Sequence, residues 1–224
     1  MPENYRLIIP DLRGHGDSDR PAGPYSMESM AGDIAQMLRQ LEIDKTILLG
    51  HSLGGYITLA FAELHPQLLD GFGLIHSTAF PDDEKGKEGR LTSMETIEKQ
   101  GLHAFIDGLI PKLFAPKHRE TMPEALEQAK RIGYGTSANG AIRMLEGMRT
   151  RPDRNHVLND ARIPVLLVAG ENDSIISMDR TFSAKGDHIT QHLIPEAGHM
   201  SMVEAPEKLA DVIQTFVKQD ASIR

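Results

Sequence analysis

The sequence predicts an α/β fold, a mostly parallel sheet flanked by helices, and three observations carry that prediction. Short apolar runs bounded by glycine or proline, at residues 45–50, 71–76, 164–169 and 189–194, read as buried strands. Stretches with helical spacing of apolar residues separate them, and strand–helix alternation favours parallel pairing with helices on both faces. Third, Gly50-His51-Ser52-Leu53-Gly54-Gly55 sets a serine between glycines where a strand gives way to a helix. That is the context of a nucleophile elbow, in which small neighbours permit a strained turn that lifts the hydroxyl off the sheet.

Taken in order, residues 5–10 alternate enough to read as a first strand. Ser26 can cap a helix whose apolar stripe is Met27, Met30, Ile34, Met37, Leu38 and Leu41. Strand 45–50 enters the Ser52 turn, and residues 56–64 continue as a helix. After strand 71–76 the alternation stops. Residues 77–162 carry helical patterns broken by glycine and proline, and an insertion at that point predicts a helical cap. The division is a core of residues 1–76 and 163–224 and a cap of 77–162, entered through the polar hinge Pro81-Asp82-Asp83-Glu84-Lys85-Gly86-Lys87. Strand 164–169 runs into Glu171-Asn172-Asp173, and strand 189–194 into Pro195-Glu196-Ala197-Gly198-His199. The last helix follows Pro206, with Leu209, Val212, Ile213, Phe216 and Val217 on its inner face.

Composition narrows the functions. The chain has 224 residues, room for one domain with a lid, and a net charge of −8, which disfavours nucleic acid as a partner. The absence of cysteine removes disulfides, thiolate metal sites and thiol nucleophiles. The first residues lack a basic-then-apolar leader pattern and no run approaches membrane-spanning length, so the expected location is cytoplasmic.

Ser52, Asp173 and His199 each fall just past a predicted strand end, and in a parallel sheet those ends share the edge where ligands bind. A serine hydroxyl needs a base to take its proton as it attacks, an imidazole ordinarily titrates in the right range, and an aspartate can fix the imidazole tautomer. The backbone amide of Leu53 faces the same space as an oxyanion donor. A plainer role for Ser52, capping the helix that starts near Leu53, leaves the glycines at 50, 54 and 55 unexplained. Glu171, Asp179 and Asp187 are rival acids, but only Asp173 sits in the tight turn after its strand.

Of the ten histidines, His15 reads as a buttress of its own loop and His51 as a residue beside the elbow that lines the pocket. His65 reads as a helix end. His76, His103, His118, His156, His188 and His192 show no metal-ligand spacing, so no metal and no cofactor are expected. Met200 is a further pocket candidate, Met94, Met122, Met144 and Met148 suit a plastic cap or its core, and Phe80, Phe105, Leu109 and Phe114 suggest an apolar lid face.

With these motifs the chain resembles the α/β-hydrolase family, in its capped esterase and lactonase-like branch. The resemblance runs nearly end to end, through Asp11-Leu12-Arg13-Gly14-His15-Gly16-Asp17-Ser18, the Gly-His-Ser-Leu-Gly-Gly elbow, Gly170-Glu171-Asn172-Asp173 and Gly198-His199. It implies Ser52 as nucleophile, Asp173 as acid and His199 as base, and a small, largely apolar carboxylic ester or lactone as substrate. Serine at the elbow argues against the dehalogenase and epoxide hydrolase branches. The same triad would also serve a hydrolase of carbon–carbon bonds in diketones; a non-catalytic binding protein on this scaffold is a further alternative, supported by the missing oxyanion segment and opposed by the intact triad. The family sheet starts earlier, with three more strands and a loop that supplies the second oxyanion donor. The resemblance thus implies an N-terminally truncated sheet whose exposed edge at strand 45–50 could pair two copies of the chain.

Overall fold

The structure, a computed structural model, describes residues 5–221, with side chains through residue 218. Four parallel strands form one sheet in the order β1 (Thr46–His51), β2 (Leu69–Ile75), β3 (Val165–Gly170) and β4 (Ile189–Ile194). The helices are α1 (Met27–Gln40), α2 (Leu53–Leu64), α3 (Glu84–Gln100), α4 (Leu102–Leu113), α5 (Pro116–Thr121) and α6 (Pro123–Tyr134). They continue with α7 (Ala138–Arg149), α8 (Asn155–Asn159), α9 (Met178–Thr181), α10 (Ser201–Glu204) and α11 (Pro206–Ala221).

Period-two alternation sorts the strand side chains into two layers. Phe72, Leu74, Val165 and Leu167 are buried with Met30, Ile34 and Leu38 of α1 and with Ile57 and Phe61 of α2, and partly buried Leu48 packs against them. Ile47, Leu49, Ile75, Leu166 and Val168 turn the other way, onto Leu209, Val212, Ile213 and Phe216 of α11. The expected cap of α1 is present: extended Ser26 accepts a hydrogen bond from the Ser29 amide at 3.2 Å, and Met27, Met30, Ile34 and Leu38 of the predicted stripe are buried, with Met37 partly so, while Leu41 lies past the helix end and is exposed.

Residues 5–10 depart from expectation. They form no strand; Leu7 and Ile9 are 61% and 83% exposed. With β1, α1 and α2 this segment borders a partly open cavity of about 420 Å³ instead of pairing with β1. The outer edge of β1 has no strand neighbour among the described residues. The polar stretch 81–87 is also not an open hinge: Asp83 accepts from the Gly86 amide at 2.7 Å and starts α3, so its second half is helical.

Between β2 and β3 the chain is helical throughout its ordered elements, with α3 packed on α4 and α7, and α4 on α6. Two buried arginines fasten this segment to the helices over the sheet. Arg154 pairs with Glu63 of α2 at 2.9 Å and with Glu28 of α1; Arg151 pairs with Asp82 at 2.9 Å and lies 3.9 Å over the Tyr56 ring. Among the described residues, no helix is long and apolar enough to cross a membrane.

Candidate active site

The chain has one residue in which to reverse from β1 into α2, and that residue is Ser52. Its backbone is left-handed, at φ 50° and ψ −115°, a conformation uncommon outside glycine. Close packing holds it there. A Cβ on Gly50 would lie 2.2 Å from the backbone carbon of Gly54, and one on Gly55 would lie 2.3 Å from Ser77 Oγ. At Gly54 a Cβ would meet open space, so the expected demand for small residues falls on Gly50 and Gly55 and not on Gly54. The Ser52 amide donates to the Ile75 carbonyl at 2.9 Å, and the Ser77 hydroxyl donates to the Ser52 carbonyl at 2.7 Å, which fastens the turn to the end of β2. Leu53 opens α2, where helix geometry leaves its amide without an intrahelical acceptor.

The ends of the parallel strands place the other groups along the same edge. Gly50 and His51 stand beside Leu74 and Ile75, Ile75 beside Val168, and Gly170 beside Ile194. Beyond those ends, His199 Nδ1 donates to Asp173 Oδ2 at 2.8 Å, with both side chains buried. Oδ1 accepts the amides of Ile175 and Ile176 at 2.8 and 3.0 Å. Burial pushes the Asp173 carboxyl up. The hydrogen bonds from His199 and His76, the His199 charge and the Ile176 amide outweigh it and hold the group well below the usual carboxylate range.

His51 braces the base from the elbow side. Its Nε2 donates to the His199 carbonyl at 2.7 Å, and the two rings lie 4.9 Å apart. Burial, reinforced by the neighbouring His199 charge, pushes the His51 imidazole down to about 3. Because His51 directly precedes Ser52, this contact ties the elbow to the loop that carries His199. No hydrogen bond joins Ser52 Oγ to His199 among the described residues; in hydrolytic sites generally, such contacts tighten when substrate binds.

The remaining candidates separate clearly. Glu171, Asp179 and Asp187 are exposed, and Glu171 instead accepts from the Glu196 amide at 2.8 Å. His15 makes the local contact expected of a buttress, to the Arg13 carbonyl at 3.3 Å. Met200 packs with Ile106, Ile110 and Phe114, and Phe114, expected on a lid face, is 1% exposed within that cluster.

Two residues were missed. Glu204 is buried, its Oε1 accepting the Gly198 and Met200 amides at 3.0 Å each and its Oε2 the Ala115 amide at 2.8 Å and His118 Nδ1 at 2.7 Å. It therefore grips the backbone on both sides of His199. His76, given no role by spacing, donates from Nδ1 to Asp173 Oδ2 at 3.2 Å. The signal for it was its place at the end of a strand on the ligand edge. The donor atoms of His76, Asp173 and His199 lie within 4.8 Å of one another, close enough for a metal ion. Both Nδ1 atoms face a single carboxylate oxygen at hydrogen-bonding distance, and we assign the contacts to protons.

A family model described as the alpha/beta hydrolase fold matches residues 2–206. The 3-oxoadipate enol-lactonase 2 of Acinetobacter baylyi is 26% identical over 223 residues, covering 97% of this chain and 80% of its own. An uncharacterized protein of Mycobacterium tuberculosis is 36% identical over 237 residues, covering 97% of this chain and 69% of its own. Among solved structures, a thermophilic esterase from Thermogutta terrifontis superposes with a TM-score of 0.91 at 30% identity, over 97% of this chain and 81% of that one. The elbow on β1, the parallel sheet and these likenesses agree: the chain belongs to the α/β-hydrolase family.

Proposed function

We propose that the protein hydrolyses a small, largely apolar carboxylic ester or lactone through an acyl-enzyme, with Ser52 as nucleophile, His199 as base and Asp173 as its orienting acid. The observation that carries this reading is the 2.8 Å bond from His199 Nδ1 to Asp173, at the same sheet edge as a serine held at φ 50°. With Nδ1 donating, His199 Nε2 is left as the acceptor that the serine proton needs. Ser52 Oγ adds to the substrate carbonyl carbon while its proton passes to Nε2, and the Leu53 amide donates to the oxyanion. Collapse breaks the ester C–O bond, and the imidazolium returns the proton to the leaving oxygen. Water, deprotonated by the same imidazole, then cleaves the acyl-enzyme and releases the acid. The likeness to an esterase and to an enol-lactonase supports the substrate class. In this reading residues 77–162 form the cap over the site, His51 and Met200 border the pocket, the enzyme is cytoplasmic, and the free edge of β1 can pair two copies.

The test is a panel of short p-nitrophenyl esters and γ-lactones, together with labelling by a fluorophosphonate and peptide mapping. Turnover with label on Ser52, both abolished in Ser52→Ala, is the expected result. Absence of turnover and of label in the wild type would leave a binding protein on a hydrolase scaffold, and cleavage confined to diketones would move the activity to carbon–carbon bonds.

A further inference from the structure

Asp173 Oδ2 serves a second imidazole, through residues the proposed chemistry does not use. His76 is fully buried; its Nδ1 lies 3.2 Å from Oδ2 and its Nε2 lies 2.6 Å from the hydroxyl of Ser201, which is also fully buried. Ser201, His76 and Asp173 thus repeat the residue types of the proposed triad around the same carboxylate oxygen, on a side closed to solvent. Burying two more polar side chains costs stability unless each is satisfied, and here each is. His76 also sits at φ 49°, beyond the end of β2, where an L-residue is held only by its surroundings.

We propose that His76, oriented by Ser201, is a positioning residue that shares the charge of Asp173 with His199 and so sets the pH range in which His199 is free to accept a proton. The inference rests on His199 being the base of the reaction. One oxygen accepts two N–H donors, and each donor reduces the negative potential left for the other. With His76 removed, the undivided carboxylate stabilises the His199 imidazolium more strongly, and His199 holds its proton to higher pH. Three titratable groups face His76 among the described residues: Asp173 from the loop after β3, His199 from the loop after β4, and His51 from β1, whose ring lies 5.8 Å away. His51 contributes no change of charge near neutrality, since burial keeps it unprotonated down to about 3.

The experiment reads His199 directly, by NMR titration of ring resonances in protein labelled with ¹⁵N-histidine, alongside the acid limb of kcat/KM on a p-nitrophenyl ester. His76→Phe removes the donor and is expected to raise the His199 midpoint by about half a unit to one unit, the scale of one hydrogen bond. His76→Asn tolerates positive φ and presents an amide N–H where Nδ1 stood, so it should titrate close to wild type. Ser201→Ala, which frees the His76 ring, should shift the midpoint in the same direction by a smaller amount, and it carries the test if the phenylalanine variant does not fold. Unchanged midpoints in His76→Phe and Ser201→Ala, or equal shifts in the phenylalanine and asparagine variants, would overturn the proposal. The NMR midpoint is independent of turnover, so a protein that tunes His199 but cleaves no ester would refute the hydrolase reading while leaving the coupling intact.

Discussion

Replacing Asp173 by asparagine tests the proposed acid in a way the structure makes quantitative. The carboxylate has two distinct sides: Oδ1 accepts the amides of Ile175 and Ile176, and Oδ2 accepts Nδ1 of both His199 and His76. An asparagine must choose between them. With its oxygen toward the two amides, its NH₂ faces the two imidazoles, whose Nδ1 atoms must then give up their protons. His199 moves its proton to Nε2 and can no longer accept one from Ser52. The flipped amide restores the imidazole bonds but takes the acceptor away from the exposed Ile175 amide and the part-buried Ile176 amide, and the second loss costs up to about 1–3 kcal/mol. The competent orientation is then populated at about one part in 5 to one part in 150. The loss seen when a hydrolytic triad loses its carboxylate this way is about 10⁴ in kcat, larger than the flip alone gives because the imidazolium also loses its counter-charge. Initial rates on p-nitrophenyl butyrate should therefore fall by about 10²–10⁴, with KM nearly unchanged. Far-UV circular dichroism and urea unfolding should report an intact fold. Turnover within tenfold of wild type in a folded variant would refute the assignment and return Glu171 and its neighbours to consideration.

Two further outcomes follow from the elbow. Gly50→Ala places a Cβ 2.2 Å from the backbone of Gly54, a clash no rotamer relieves, so urea unfolding should show a loss of about 3 kcal/mol or more, or the chain should fail to accumulate folded. Gly54→Ala meets nothing within 4 Å and should stay within about 1 kcal/mol of wild type; equal damage from both would refute the packing argument. His51 gives a pH dependence of stability. Its native value is about 3 against an unfolded value near 6.5, so the unfolded chain binds the extra proton, and stability is lost as pH falls from about 6.5 toward 3. Between pH 7 and pH 5 this amounts to roughly 2 kcal/mol. Urea melts at the two values should differ by that much more in wild type than in His51→Gln, and parallel losses in both would contradict the burial of a neutral ring.

What could be read from the sequence was short in range. The Ser26 cap, the Ser52 turn and the four strands of the sheet are each specified by neighbours within a few positions, and all are present. Asp173 was legible because it follows its strand by a tight turn, although the bond that supports a role for it comes from His199. His76 and Glu204 were not legible. His76 acquires its partners only when β2 is laid beside β3, 97 residues from Asp173 and 125 from Ser201, and no local spacing encodes that register. Glu204 reads as an ordinary acid in a short helix until the His199 loop folds over it.

Residues 5–10 fail for the complementary reason. Alternation of apolar side chains states only which way a segment would face if it were extended; it supplies no partner for the backbone amides and carbonyls, which is what makes a strand. The segment lies across a cavity from β1 and leaves Ile9 exposed, so the pattern is satisfied by neither hydrogen bonds nor burial. The hydrogen bonds of the Asp173 carboxylate do not involve it. Ser52, His76, Asp173 and His199 all extend from the ends of the four paired strands, and every hydrogen bond that orients the carboxylate is made among those ends and the turns that follow them. A perturbation of residues 5–10 should therefore act on the outer flank of β1 and on stability long before it reaches the bond between Asp173 and His199.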